Sequence, residues 1–134
     1  MKREFVPYEL ALKLKELGFD GTCFGWYENN ELVTLLECIY PEDRLEFIKV
    51  GEISKRISAP TFSQCFKFFR EKHNIDGLLH KTAEGSYYFW ITECEYGNYN
   101  HYKYYNQMVY FNTYEEAEIA CLENLIELVE SKSE

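Results

Sequence analysis

The clearest instruction in this sequence is the start and stripe of its last helix. Thr113-Tyr114-Glu115-Glu116 has the form of a capping box, in which threonine accepts from the third backbone N–H and glutamate reaches back. Glu115, Glu116 and Glu118 also suit the positive end of the helix dipole. Beyond them Ile119, Leu122, Ile126 and Val129 line one face, widened by Ala117 and Leu125. Such a helix gains most of its stability by burying that face. The rest of the chain must therefore supply an apolar surface, and a sheet is the expected one.

Two further helices are legible. Pro7 opens the first, at a position where its missing N–H costs nothing. Leu10, Leu14 and Leu17 repeat at helical spacing, and Gly18 with Phe19 behind it forms a glycine C-cap. The second runs from about Pro60 to His73, with Phe62, Phe66 and Phe69 as its stripe and Cys65 alongside. Ser58 or Thr61 can cap it, and Thr61-x-x-Gln64 fits a second capping box.

Between the helices the period changes to that of strands. Thr22–Glu28 and Glu31–Tyr40 flank Asn29-Asn30, a pair that tolerates positive φ and suits a two-residue hairpin. Gly77–Thr82 and Ser86–Cys94 flank Ala83-Glu84-Gly85, and Tyr102–Phe111 reads as a last strand, bulged near Asn106. Residues 41–57 show no clean period and read as an ordered crossover. The predicted class is α+β: a mostly antiparallel sheet of four to five strands with about three helices, in the order α-β-β-α-β-β-β-α. Each half begins with a proline-led helix that ends near Phe19-Asp20-Gly21 or Ile75-Asp76-Gly77, which hints at a duplicated α-β-β unit. A length of 134 residues fits one domain spanning 1–134.

No uncharged apolar stretch approaches a membrane span, and Met1-Lys2-Arg3-Glu4-Phe5 lacks the apolar core of a secretory signal. A soluble cytoplasmic protein is expected. The five cysteines, Cys23, Cys38, Cys65, Cys94 and Cys121, are odd in number and contain no Cys-x-x-Cys, so they read as core filler. No cofactor is implied. Phosphate-cradling glycine loops and Gly-x-Ser-x-Gly are absent. His73, His80 and His101 form no metal-ligand spacing, so no metal site is assigned. Cys94 with His80 or His101, and the pair Glu93 and Glu95, are conceivable reactive groups without a third orienting partner. No catalytic residue is assigned, and an enzyme acting on a small molecule is a minor reading.

Nine of the twelve tyrosines fall between Tyr87 and Tyr114. The plain reading of most of them is strand formers with half-buried rings. Tyr96, Tyr99, Tyr102 and Tyr104 stand apart, in or beside a loop with Gly97, Asn98 and Asn100. Rigid rings beside adaptable polar backbone make a recognition surface. The expected function is therefore a non-enzymatic protein-interaction module, its partner another protein or a second copy. Charge supplies the rival. The net charge is −9, yet residues 44–81 carry eight bases and four acids. Lys67, Arg70, Lys72 and Lys81 could hold nucleic acid there, against the repulsion of the whole-molecule field.

Several segments resemble a family of short proteins of no assigned activity from Bacteroides-type gut bacteria and their phages and mobile elements. The matching residues are Phe5-Val6-Pro7-Tyr8-Glu9-Leu10-Ala11 through Leu17-Gly18-Phe19, Ser58-Ala59-Pro60-Thr61-Phe62-Ser63-Gln64, Tyr114-Glu115-Glu116-Ala117-Glu118 and Cys121-Leu122. The resemblance covers about a third of the chain and implies a setting, in which small acidic proteins often bind host machinery, but no site residues. The order from Pro60 to Val129 is also similar to that of a double-stranded-RNA-binding domain. That family opens its last helix with phosphate-gripping lysines, where this chain has Tyr114-Glu115-Glu116.

Overall fold

The computed structural model describes residues 4–21, 23–34, 56–94, 102–105 and 109–132, with backbone alone at Cys94 and over 102–105. The chain divides into two compact units, Met1–Thr61 and Phe62–Glu134. Each has a helix followed by an antiparallel hairpin, and each hairpin has its own third strand. The α+β class stands and the element order stands but for one added short strand before the second helix; among the described residues the strands form two three-stranded sheets rather than one of four to five.

In the first unit α1 spans Tyr8–Glu16 and buries Leu10, Ala11 and Leu14. Pro7 sits one position earlier than expected, as the N-cap, with extended ψ of 154°. The helix ends as its sequence predicts. Gly18 takes φ of +93°, its N–H bonds Lys15 O at 3.1 Å, and Phe19 N–H bonds Leu14 O at 2.9 Å. This pair of bonds satisfies carbonyls that a helix end otherwise strands.

β1 (Gly25–Glu28) and β2 (Glu31–Thr34) pair through Asn29 and Asn30, whose φ values of 48° and 67° match the mirror-image turn that hairpin twist favours. Residues 35–40, read as the rest of that strand, lie outside the described residues, as does most of the 41–57 crossover. The end of that crossover is a short strand, β3 (Ile57–Ser58), paired with β1 on the side away from β2. Two residues are too few to show an alternation, so sequence periodicity misses it.

The small core of this unit gathers Phe5, Ala11, Tyr27 and Ala59, with Tyr8, Leu32 and Ile57 packed around them. Tyr8 and Tyr27 meet edge to face at 5.4 Å. The buried Tyr27 hydroxyl donates to Val6 O at 2.6 Å, the partner a sequestered phenol requires. Val6 N–H in turn bonds Pro60 O at 2.9 Å.

In the second unit α2 spans Phe62–His73 and buries Phe62, Cys65, Phe66, Phe68 and Phe69. Asn74, at φ of +55°, turns the chain directly into β4 (Ile75–Lys81), so this strand starts two residues earlier than expected. β4 pairs with β5 (Tyr87–Cys94) around the 82–86 turn, and β5 pairs with β6 (Tyr102–Tyr105) on its other edge. Past β6, Phe111 exchanges both backbone bonds with Tyr87 at 2.7 and 2.8 Å. The expected bulge near Asn106 lies outside the described residues.

α3 (Tyr114–Lys132) lies across β4 and β5 and touches α2. The threonine half of its capping box forms, with Thr113 Oγ1 accepting from Glu116 N–H at 3.2 Å. The buried stripe is Ala117, Cys121, Leu122, Leu125, Ile126 and Val129. Cys121 is fully covered, whereas Ile119, expected on the stripe, is half-buried. The stripe lies one position round the helix because the sheet approaches closely at Gly77. A Cβ there would lie 2.7 Å from Cys121 Sγ, 3.0 Å from Phe66 and 3.3 Å from Leu125.

Candidate aromatic docking face

Alternation along β4 and β5 decides which side chains meet the helices and which do not. Residues opposite one another across an antiparallel ladder share a face. Leu79 pairs with Phe89 and Gly77 with Ile91; Phe89 and Ile91 are buried under α2 and α3. The other face therefore carries Asp76, Leu78 and His80 from β4, opposite Thr92, Trp90 and Tyr88 from β5.

On this outer face the rings form a continuous row across the strands. Tyr110 meets Tyr88 at 5.9 Å and 64°. Tyr88 stacks on His80 at 5.1 Å and 22°, and His80 meets Trp90 edge-on at 6.0 Å. Leu78 lies opposite Trp90. Tyr110 keeps 56% of its surface exposed, Leu78 41% and Trp90 38%, values far from those of core residues. Singly exposed apolar residues are ordinary, whereas these large ones are neighbours on one face.

Charged residues lie at the ends of the two strands that carry the row. Asp76, at one end, is 3.8 Å from Arg70 of α2. Glu84 lies exposed in the β4–β5 turn; the exposed Glu115 and Glu116 belong to the first turn of α3, on the opposite side of the sheet. Acids crowd there. Burial and then the neighbouring Glu115 push the Glu118 carboxyl up. Burial first, then Glu118 and other nearby negative groups, push up the Tyr114 phenol.

The expected recognition loop is only partly in view. Tyr96 and Tyr99 lie outside the described residues. Tyr102 and Tyr104 belong to β6, where the backbone register sets them opposite Cys94 and Thr92. Sequence reasoning missed the row itself: alternation separates Tyr88, Trp90 and Thr92 from Tyr87, Phe89 and Ile91, but both sets are aromatic.

The cations proposed for nucleic acid are spread over two elements. Lys67 pairs with Glu71 at 3.9 Å on α2, and Arg70 with Asp76. Lys72 is exposed on the same helix. Lys81, at the far end of β4, lies 5.9 Å from the centre of the Tyr87 ring.

Among the described residues no three His, Cys, Asp or Glu side chains converge on a metal position. His101 and Glu95 lie outside the described residues, and Glu93 pairs with Lys132. His73 packs against Phe68 and Phe69, its Nε2 buried without a hydrogen-bond partner. Burial, and then the charge of Lys132, hold its pKa below the usual imidazole range. Cys121 is fully buried, and burial pushes its thiol up to about 12, which removes the thiolate that reactivity requires. No helix among the described residues is long and apolar enough to cross a membrane.

Comparison with protein-family models, with curated proteins and with solved structures returns no match.

Proposed function

We propose that this chain is a non-enzymatic protein-interaction module that docks its partner on the outer face of the β4–β5–β6 sheet. The exposed row of Tyr110, Tyr88, His80 and Trp90, with Leu78 beside it, carries the reading. Trp and Tyr dominate the energetics of protein interfaces because they bury large area at a low cost in rotamer freedom. The same proposal includes the setting implied by the resemblance, a phage or mobile element of gut bacteria, with a host protein as partner.

The test is selection of random linear peptides, displayed on phage, against the immobilised full chain. Enriched peptides should bind the parent protein and lose at least about tenfold in affinity on Trp90→Ala or Tyr110→Ala, the size of a modest hot spot. Stability should fall only by what the lost cross-strand ring contacts are worth, about 0.2–1 kcal/mol, so both variants stay folded at the binding temperature. Enriched peptides that bind both variants as tightly as the parent would remove the face as the site. Tyr99→Ala and Tyr102→Ala, run beside them, report whether the tyrosine loop shares in the contact.

A further inference from the structure

We infer that β4 is a self-association edge, to which a second copy of this chain adds its own β4, antiparallel, about a twofold axis at Leu78. The contact goes beyond the docking face, since it uses the backbone of one strand rather than the rings of the sheet's outer surface.

The backbone geometry comes first. Lys81 lies opposite Tyr87 in the ladder, and Tyr87 exchanges both of its backbone bonds with Phe111. Opposed residues of an antiparallel pair share two bonds or none, in alternation. Lys81 and Tyr87 therefore share none, and neither do Leu79 and Phe89 or Gly77 and Ile91 further along. The N–H and C=O groups of Gly77, Leu79 and Lys81 point out of the sheet instead. Among the described residues no strand or bridge lies on that edge.

Nothing in the strand blunts it. β4 pairs with β5 over all 7 of its residues without a bulge or a proline, and its lysine stands at the very end. Such an edge is a template for one more strand. Leu79 shares the helix-covered face yet is only half-buried, and Leu78 on the other face keeps 41% of its surface exposed. An added strand would cover both.

The occupant is a second copy because the strand complements itself. With the axis at Leu78 the two strands overlap along their whole length. Gly77 then opposes the second copy's Leu79, and each such pair exchanges both bonds. On the outer face Leu78 meets Leu78, and Asp76 meets the second copy's His80, carboxylate against imidazole N–H. These outer pairs are of the type that brings side chains closest. Moving the axis to Gly77 or Leu79 shortens the overlap and sets Leu78 against Asp76 or His80. Charge agrees with this choice. Residues 62–81 carry four bases and two acids, whereas 82–134 carry two bases and ten acids. Copies of a chain with net charge −9 meet with least repulsion along its less acidic stretch.

The experiment is analytical ultracentrifugation of the full chain alone, in reducing buffer, from about 1 µM to 1 mM. A strand pair buries less than a permanent interface does, so half-association should fall within that range. Leu78→Glu sets two carboxylates opposite one another and should weaken association about tenfold or more. Under mild oxidation Leu78→Cys should cross-link to a dimer beyond the parent's own background, because opposed Cα atoms about 4.5 Å apart suit a disulfide. His80→Cys should not cross-link by itself, but should do so when mixed with Asp76→Cys.

A chain that stays monomeric throughout would overturn the inference. So would a dimer that ignores Leu78→Glu, or one in which Leu78→Cys fails to cross-link. Efficient cross-linking of His80→Cys alone would overturn the register and with it the twofold pairing. Association lost in Trp90→Ala but kept in Leu78→Glu would move the contact from the edge to the rings. Should circular dichroism show Leu78→Glu unfolded, the cysteine pairs decide the matter alone.

Discussion

Replacing Gly77 by alanine tests the packing of the second unit at its tightest point. The new Cβ would lie 2.7 Å from Cys121 Sγ, 3.0 Å from Phe66 and 3.3 Å from Leu125. Cys121 and Leu125 are fully buried and Phe66 nearly so, which leaves little room to yield. Overpacking of this kind costs about 1–3 kcal/mol. Alanine also stiffens the unfolded chain, an opposing gain of about 0.4–1 kcal/mol. The net expectation is a loss of about 1–2 kcal/mol, or roughly 5–15 °C in melting temperature for a unit of this size.

The closest atom names its own rescue. Cys121→Ala alone should cost about 1 kcal/mol, for lost contacts and a small void. In the double variant that void accepts the new methyl, so the two losses should fall short of adding by about 1 kcal/mol or more. Thermal and urea unfolding of the four proteins, followed by far-ultraviolet circular dichroism, measures this. A Gly77→Ala protein as stable as the parent, or strictly additive losses, would refute the argument that α3 and β4 are spaced by the absence of a side chain at this position.

Gly18→Ala should also destabilise, by about 1 kcal/mol, but for a different reason, since nothing lies within 4 Å and only the φ of +93° resists a side chain. Asn74→Gly, at φ of +55°, should be neutral or slightly stabilising in the same melting assay. Thr113→Ala removes the oxygen that accepts from Glu116 N–H and should cost about 1 kcal/mol, with faster hydrogen exchange confined to the first turn of α3. His73 is held below its ordinary pKa by burial and then by Lys132, so the folded state favours the neutral ring. The unfolded chain binds that proton more readily, and stability should be full above the unfolded value of about 6.5 and decline as pH falls below it. A His73→Phe variant should show a flatter urea midpoint between pH 7.5 and 5.5; an unchanged slope would assign the pH response to other groups.

How much of this was legible depends on how local each signal is. The threonine cap at Thr113, the stop at Gly18-Phe19 and the turn at Asn29-Asn30 are decided within a few residues, and each forms as read. The boundary at Ile75 was misplaced because a single left-handed asparagine does the work of a loop. β3 was invisible because two residues carry no period. Ile119 was placed on the stripe and Cys121 left off it because the approach of Gly77, about forty-five residues away in sequence, sets which side of α3 faces the sheet. The site suffers most from this non-locality. Tyr110, Tyr88, His80 and Trp90 come from three segments and become neighbours only once the ladder's register is known. Both faces of β5 are aromatic, so alternation alone does not say which is turned inward.

The row on the outer sheet has a kinetic corollary. Each of its rings leans on the next across the strands, so the side chains are held in place before anything arrives. A visitor to such a surface forfeits little rotamer entropy in the receptor. Differences among visitors should then show in how long they stay rather than in how fast they come.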